Sequence, residues 1–154
     1  ITAVDTDHLD IYENHEAIKS TFVEFASKIK ENGTLITNFS TGITGKETLL
    51  QEHFLNVLSY SIENEEADYF IETVEKPVAR GNKLQLLFHL NYPGIHNIEN
   101  ALAAIAVAQK MGIPEHKVAS SLRDFSGIKR RFEYIIKTDD LVFIDDYAHH
   151  PREI

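Results

Sequence analysis

Apolar positions recur at intervals of three and four from Asn14 to Lys30, where Ile18, Phe22, Phe25, Ala26 and Ile29 fall along one side of an amphipathic helix that Asn32-Gly33 stops. Leu35 to Phe39 is a short apolar run of strand character, and Glu47 to Leu58 places Leu50, Phe54, Val57 and Leu58 on one side of a second helix. Ser59 to Ile62, Tyr69 to Val74 and Leu84 to Leu90 then read as strands, the last alternating Leu84, Leu86, Phe88 and Leu90 with Gln85, Leu87 and His89. Arg80-Gly81-Asn82 is the expected hairpin turn. Tyr92-Pro93-Gly94 breaks the alternation, and Ile98, Leu102, Ile105 and Ala108 return at helical spacing in a helix that ends at Gly112. Pro114 opens a further helix with Val118, Leu122 and Phe125 on one face. Beyond Arg130, Phe132 to Lys137 and Leu141 to Ile144 flank Thr138-Asp139-Asp140 as a hairpin. Strands alternating with helices predict an α/β fold, with a change of character near Gly127.

Composition narrows the class. An apolar content of 43% in 154 residues suffices for one ordinary core. No run approaches the ~18 apolar residues needed to span a bilayer, and the start of the chain has neither a basic flank nor an apolar signal core, so no membrane role is expected. Without cysteine there is no disulfide scaffold, thiolate nucleophile or Cys-ligated zinc, which fits a cytoplasmic chain. A net charge of -9 argues against a nucleic-acid partner, because binding a phosphate backbone needs clustered Lys and Arg. A single nucleotide remains compatible, since it needs only a few local cations and a metal.

Three stretches carry candidate chemistry. His96, Asn97 and Asn100 crowd the first turn of the helix after Gly94; asparagine offers the donor and acceptor that a purine edge needs, but the same residues serve equally as a helix cap and a solvated surface. Asp5, Asp7, His8 and Asp10 form an oxygen-rich, imidazole-bearing cluster that spacing alone leaves open between a solvated loop and a metal site. Gly42-Ile43-Thr44-Gly45-Lys46-Glu47-Thr48 follows a strand and contains Gly-Lys, but Glu47 stands where a Walker loop needs Ser or Thr for Mg2+ and would set a carboxylate against the phosphates. That loop is therefore set aside.

The pattern Gly-x-His-Asn-x-x-Asn-x-x-Ala-Ala over Gly94 to Ala104 resembles a signature of the Mur ligases, ATP-dependent amide-forming enzymes of peptidoglycan synthesis. Asp7-His8-Leu9-Asp10-Ile11-Tyr12 resembles the family's motif after the second strand of its ATP domain. Phe125 to Glu133, reading Phe-Ser-Gly-Ile-Lys-Arg-Arg-Phe-Glu, resembles its inter-domain junction, and Asp145-Asp146-Tyr147-Ala148-His149-His150-Pro151 follows in the family's order. The combination is most similar to members that join L-alanine to UDP-N-acetylmuramate. Members that recycle murein tripeptide onto the same sugar nucleotide, and a noncatalytic module that retains the family fold, are the alternatives.

The resemblance implies part of a Mur-type central ATP-binding domain, a mixed sheet with flanking helices, over residues 1–127. The first hairpin of a Rossmann-like C-terminal domain would occupy 128–154. ATP and Mg2+ are the implied cofactors, with UDP-N-acetylmuramate and L-alanine as substrates. His96, Asn97 and Asn100 match nucleotide-binding positions, His8 a Mg2+-binding position, Arg131 a γ-phosphate clamp, Asp146 a ribose contact, and Tyr147 and His149 positions lining the amino-acid pocket. In the family the phosphate loop precedes the Asp-His-Leu-Asp block. It is therefore expected upstream of Ile1, and the chain by itself is expected not to catalyse ligation.

Overall fold

A computed structural model describes residues 1–4, 14–43, 50, 56–81 and 84–148. Helix α1 spans His15–Ser27, and the Asn14 side chain caps it by accepting from the Ala17 N–H at 2.9 Å. Asn32, at φ 61, supplies a left-handed residue after it, close to the expected stop. Strand β1 (Thr34–Asn38) leads into a short 3-10 turn at Phe39–Thr41, capped by the Asn38 side chain.

Strands β2 (Asn56–Ser61), β3 (Tyr69–Ile71), β4 (Val78–Gly81) and β5 (Leu84–Leu87) complete a five-stranded mixed sheet in sequential order. The first three strands are parallel, and β3, β4 and β5 are antiparallel. Helix α2 (Ile95–Lys110) crosses β1, β2 and β3, and α3 (Glu115–Asp124) packs on α2 and β5. Strands β6 (Glu133–Lys137) and β7 (Val142–Asp145) form a separate two-stranded antiparallel sheet. The α/β architecture with a mixed sheet and flanking helices is the expected one.

Register explains the layering. Leu35 pairs with Val57, and Ile36 with Leu58. Successive strand residues point to opposite faces, so Leu35 and Val57 join the core under α1, with Val23 and Ala26, while Ile36 and Leu58 join the core under α2, with Leu102 and Ile105. Both faces of the parallel edge are thus covered, as parallel sheets require.

Several sequence expectations are corrected. Val57 and Leu58, assigned to a helix from Glu47, lie in β2; a strand buried on both faces shows a continuous apolar run that periodicity alone does not separate from a helical segment. Residues 44–49 and 51–55 of that expected helix lie outside the described residues, while Leu50 is buried beside α1. The expected hairpin is present as β4 and β5, but Arg80 and Gly81 belong to β4, paired with Gln85 and Leu84, and Asn82 lies outside the described residues. Phe25 is 65% exposed, because the buried Ile18, Val23 and Ala26 centre on a direction roughly a quarter turn away at ~100° per residue. Phe125 has left α3 and is extended. No helix among the described residues is long and apolar enough to cross a membrane.

Candidate functional site

The N-terminal end of α2 opens onto a cleft of about 1710 Å³ whose other walls come from α3 and the segment around β6 and β7. His96, Asn97 and Asn100 line it, together with Arg131 and Asp146. The fold therefore brings five sequence-nominated residues from three separate stretches into one space. Its apolar lining includes Ala104, Val118 and Ile128, and Lys117 adds a cation on α3.

Gly94, at φ 101, precedes the helix, and a Cβ there would lie 2.5 Å from Cε1 of His96, so glycine lets the imidazole fold back over the turn. The Asn97 side-chain amide donates to the Pro93 carbonyl, and its backbone N–H donates to the Gly94 carbonyl at 3.1 Å. Asn97 thus has a structural bond and keeps its Oδ1 acceptor. The Asn100 side chain, exposed one turn on, makes no hydrogen bond to any described residue. Beneath them, buried Asn38 donates to Oε1 of Glu99 at 2.7 Å, tying α2 to the end of β1. Burial first, and the charge of Glu99 second, push the Tyr60 phenol up to about 12, while the Asn38 amide offsets part of that rise.

The opposite wall depends on backbone turns that few residues adopt. Gly127 (φ 92), Arg130 (φ 59) and Phe132 (φ 50) are all left-handed. For Arg130 and Phe132 this conformation costs of order 1 kcal/mol or more and must be held by neighbours. Arg130 donates from its backbone N–H to Glu133 Oε2 at 2.8 Å and accepts from the Tyr147 N–H at 2.8 Å. Asp146 accepts from the Phe132 N–H at 3.2 Å and the Ala148 N–H at 2.9 Å. The Arg131 backbone closes a turn onto the Ile128 carbonyl.

Tyr147 does not line the cleft: its ring lies 5.0 Å beneath the Arg130 guanidinium and is 54% exposed. His8 and His149 lie outside the described residues. Among the described residues, no group of three His, Asp or Glu side chains could hold a metal ion.

Sequence reasoning missed Tyr92. Its hydroxyl is buried without a hydrogen-bond partner among the described residues, and it lines the cleft beside the nominated residues. Burial raises the Tyr92 pKa; the Ile128 backbone pulls the other way but falls short of hydrogen-bond geometry, and the charges of Asp146 and Glu133 add to the rise. An aromatic residue directly before Pro-Gly at a helix entry was the available signal.

The sequence matches the model of the Mur ligase middle domain over residues 1–108. UDP-N-acetylmuramate--L-alanine ligase of Flavobacterium johnsoniae is 38% identical over 154 residues, covering all of this chain and 33% of the relative. The enzyme of that name from Clostridium perfringens is 38% identical over 160 residues, with 100% and 35% coverage. Among solved structures, UDP-N-acetylmuramate-alanine ligase of Thermotoga maritima superposes with a TM-score of 0.69 at 25% identity, over 96% of this chain and 34% of that one. The murein peptide ligase of Psychrobacter arcticus shares the fold, with a TM-score of 0.65 at 24% identity over 99% of this chain and 32% of that one. The chain spans about a third of the length of the curated relatives it matches. With the middle-domain match covering most of its length, the chain belongs to the Mur ligase family.

Proposed function

We propose that this chain is part of an ATP-dependent carbon-nitrogen ligase that joins L-alanine to UDP-N-acetylmuramate in the cytoplasmic stage of peptidoglycan synthesis. The observation that carries the reading is the cleft in which Asn97 and Asn100 of α2 meet Arg131 and Asp146 from beyond Gly127. Relatives named for this reaction, 38% identical along the whole chain, support the same assignment. The reading divides the chain near Gly127 into a central ATP-binding part, 1–127, and the opening of a C-terminal part, 128–154.

The residues present fit a nucleotide. Asn100 has a donor and an acceptor to offer a purine edge, and Asn97 retains an acceptor after bonding to Pro93. The apolar lining accepts a flat base, and Arg131 places a cation where phosphates would extend. Asp146 already accepts two backbone N–H bonds, but an ionised carboxylate has about four acceptor sites and can still take a ribose hydroxyl. The cleft exceeds the ~300–1,000 Å³ typical of small-molecule sites, which leaves room for both a nucleotide and the reacting end of an acceptor. ATP supplies the phosphoryl group that converts a carboxylate into an acyl phosphate open to attack by an amine, with phosphate leaving as the amide forms. Mg2+ would be held in part by His8, and L-alanine would be met by Tyr147, which stacks on Arg130, and by His149.

Phosphate release by the full-length protein tests this reading. Release from ATP is expected only when UDP-N-acetylmuramate and L-alanine are both present. Strong preference for L-alanyl-D-glutamyl-diaminopimelate would move the assignment to tripeptide recycling. An open reading frame with no Gly-x-x-Gly-Lys-Thr loop before Ile1 would leave a noncatalytic module instead.

A further inference from the structure

Tyr92 stands between the two walls of the cleft. It enters α2 through Pro93 and Gly94, whose carbonyls Asn97 binds, so its backbone belongs to the asparagine wall. Its ring belongs to the other wall. A Cβ on Gly127 would lie 2.6 Å from Cζ and 2.8 Å from Cδ2 of Tyr92, distances that no real side chain tolerates. The missing Cβ of Gly127 is therefore a notch that the Tyr92 ring fills. Phe125 packs on the same ring at 6.4 Å between centroids, tilted by 55°. The chain then runs through the left-handed Arg130 and Phe132, with Arg131 between them. Such a sequence of turns has an orientation set by whatever anchors its first residue.

Resting on the nucleotide reading above, we propose that Tyr92 is a positioning residue whose ring, seated in the Gly127 notch, holds the Arg131 wall of the cleft in register with the Asn97 and Asn100 wall. The ring carries this role and the hydroxyl does not, because among the described residues the hydroxyl has no hydrogen-bond partner. Adenosine should engage mainly the asparagine wall, whereas ATP must reach both. Misplacing one wall therefore reduces the advantage of ATP over adenosine rather than binding as a whole.

Calorimetric titration of the full-length protein with adenosine and with ATP reads that advantage. Tyr92→Ala is expected to leave adenosine affinity within about twofold and to weaken ATP about tenfold, as expected when one charge-assisted contact is lost. Tyr92→Phe is expected to match the parent for both ligands. Equal losses for the two ligands, an undiminished ATP advantage, or a Phe variant as impaired as Ala would each overturn the proposal. A second measurement does not depend on nucleotide. The chain has no cysteine, so spin labels at Lys110→Cys and Asp140→Cys report the distance between α2 and the hairpin. A narrow distribution in the parent and in Tyr92→Phe that broadens in Tyr92→Leu supports the notch; identical distributions in all three overturn it. Should the parent bind neither adenosine nor ATP while the labels behave as expected, the nucleotide reading fails and the mechanical role of Tyr92 stands.

Discussion

Asn38 at the end of β1 and Glu99 in the second turn of α2, 61 residues apart, are joined by a 2.7 Å hydrogen bond, and Asn38 is 5% exposed. The bond fixes where α2 begins relative to the sheet, and hence where Asn97 and Asn100 project. Replacing Glu99 by Ala strands a buried amide donor and is expected to cost about 1–3 kcal/mol, whereas Glu99→Gln keeps an acceptor and should cost less than ~1 kcal/mol. Urea midpoints at constant m-value distinguish them. Equal stability of the Ala variant and the parent would mean that the bond contributes nothing.

The Tyr60 phenol gives the fold a signature in alkali. Its pKa is raised in the folded state to about 12 from 10.0, so below pH ~10 both states are protonated and the full stability is present. Between pH ~10 and ~12 only the unfolded state releases this proton. Stability should therefore fall by up to about 1.4 kcal/mol per pH unit from this group alone. Tyr69 and Tyr92, also raised by burial, add to the decline. Tyr60→Phe should make the slope shallower in that window and leave it unchanged near neutrality. An unaltered slope contradicts the assignment.

Asn97 and Asn100 should separate under mutation. Asn100→Ala loses no bond among the described residues and should stay within ~0.5 kcal/mol of the parent while weakening adenine-nucleotide binding. Asn97→Ala loses the bond to Pro93 and should cost about 1 kcal/mol as well as affinity. Thermal unfolding with and without ATP measures both terms. A stability loss above ~1 kcal/mol for Asn100→Ala with unchanged nucleotide binding would return that residue to a structural role.

Much of this was legible in the sequence, for reasons visible in particular residues. Helix α2 announced itself because Ile98, Leu102 and Ile105 repeat on one face below a Pro-Gly break. The hairpin of β6 and β7 was legible because a polar Thr-Asp-Asp interrupts two apolar runs. Val57 and Leu58 were misassigned because a strand buried on both faces has no alternation to read. The pairing of Asn38 with Glu99 left no local signal, since it depends on how β1 lies under α2. At the site, the motif pattern nominated the asparagines, Arg131 and Asp146, whereas the Tyr92 notch exists only once Gly127 folds back against it.

Asp146 requires a control of its own. Because it binds the backbone N–H groups of Phe132 and Ala148, Asp146→Ala is expected to cost about 1–2 kcal/mol through the loss of these bonds, apart from any ribose contact. Asp146→Asn keeps one acceptor and should cost less than the Ala variant. Denaturation curves of the two variants test this, and indistinguishable stability of Ala and parent would show that the left-handed Phe132 is held by other groups.

The cleft between α2 and the segment beyond Gly127 is expected to bind the adenine nucleotide. Amide and asparagine side-chain NMR of the isotopically labelled chain, titrated with ATP, tests it most directly. Saturable shifts are expected to concentrate in residues 92–104 and 127–132, including the side-chain amides of Asn97 and Asn100. Shifts confined to the separate groove lined by Lys76, His89, His116 and Arg123, with residues 92–104 and 127–132 silent, would contradict it.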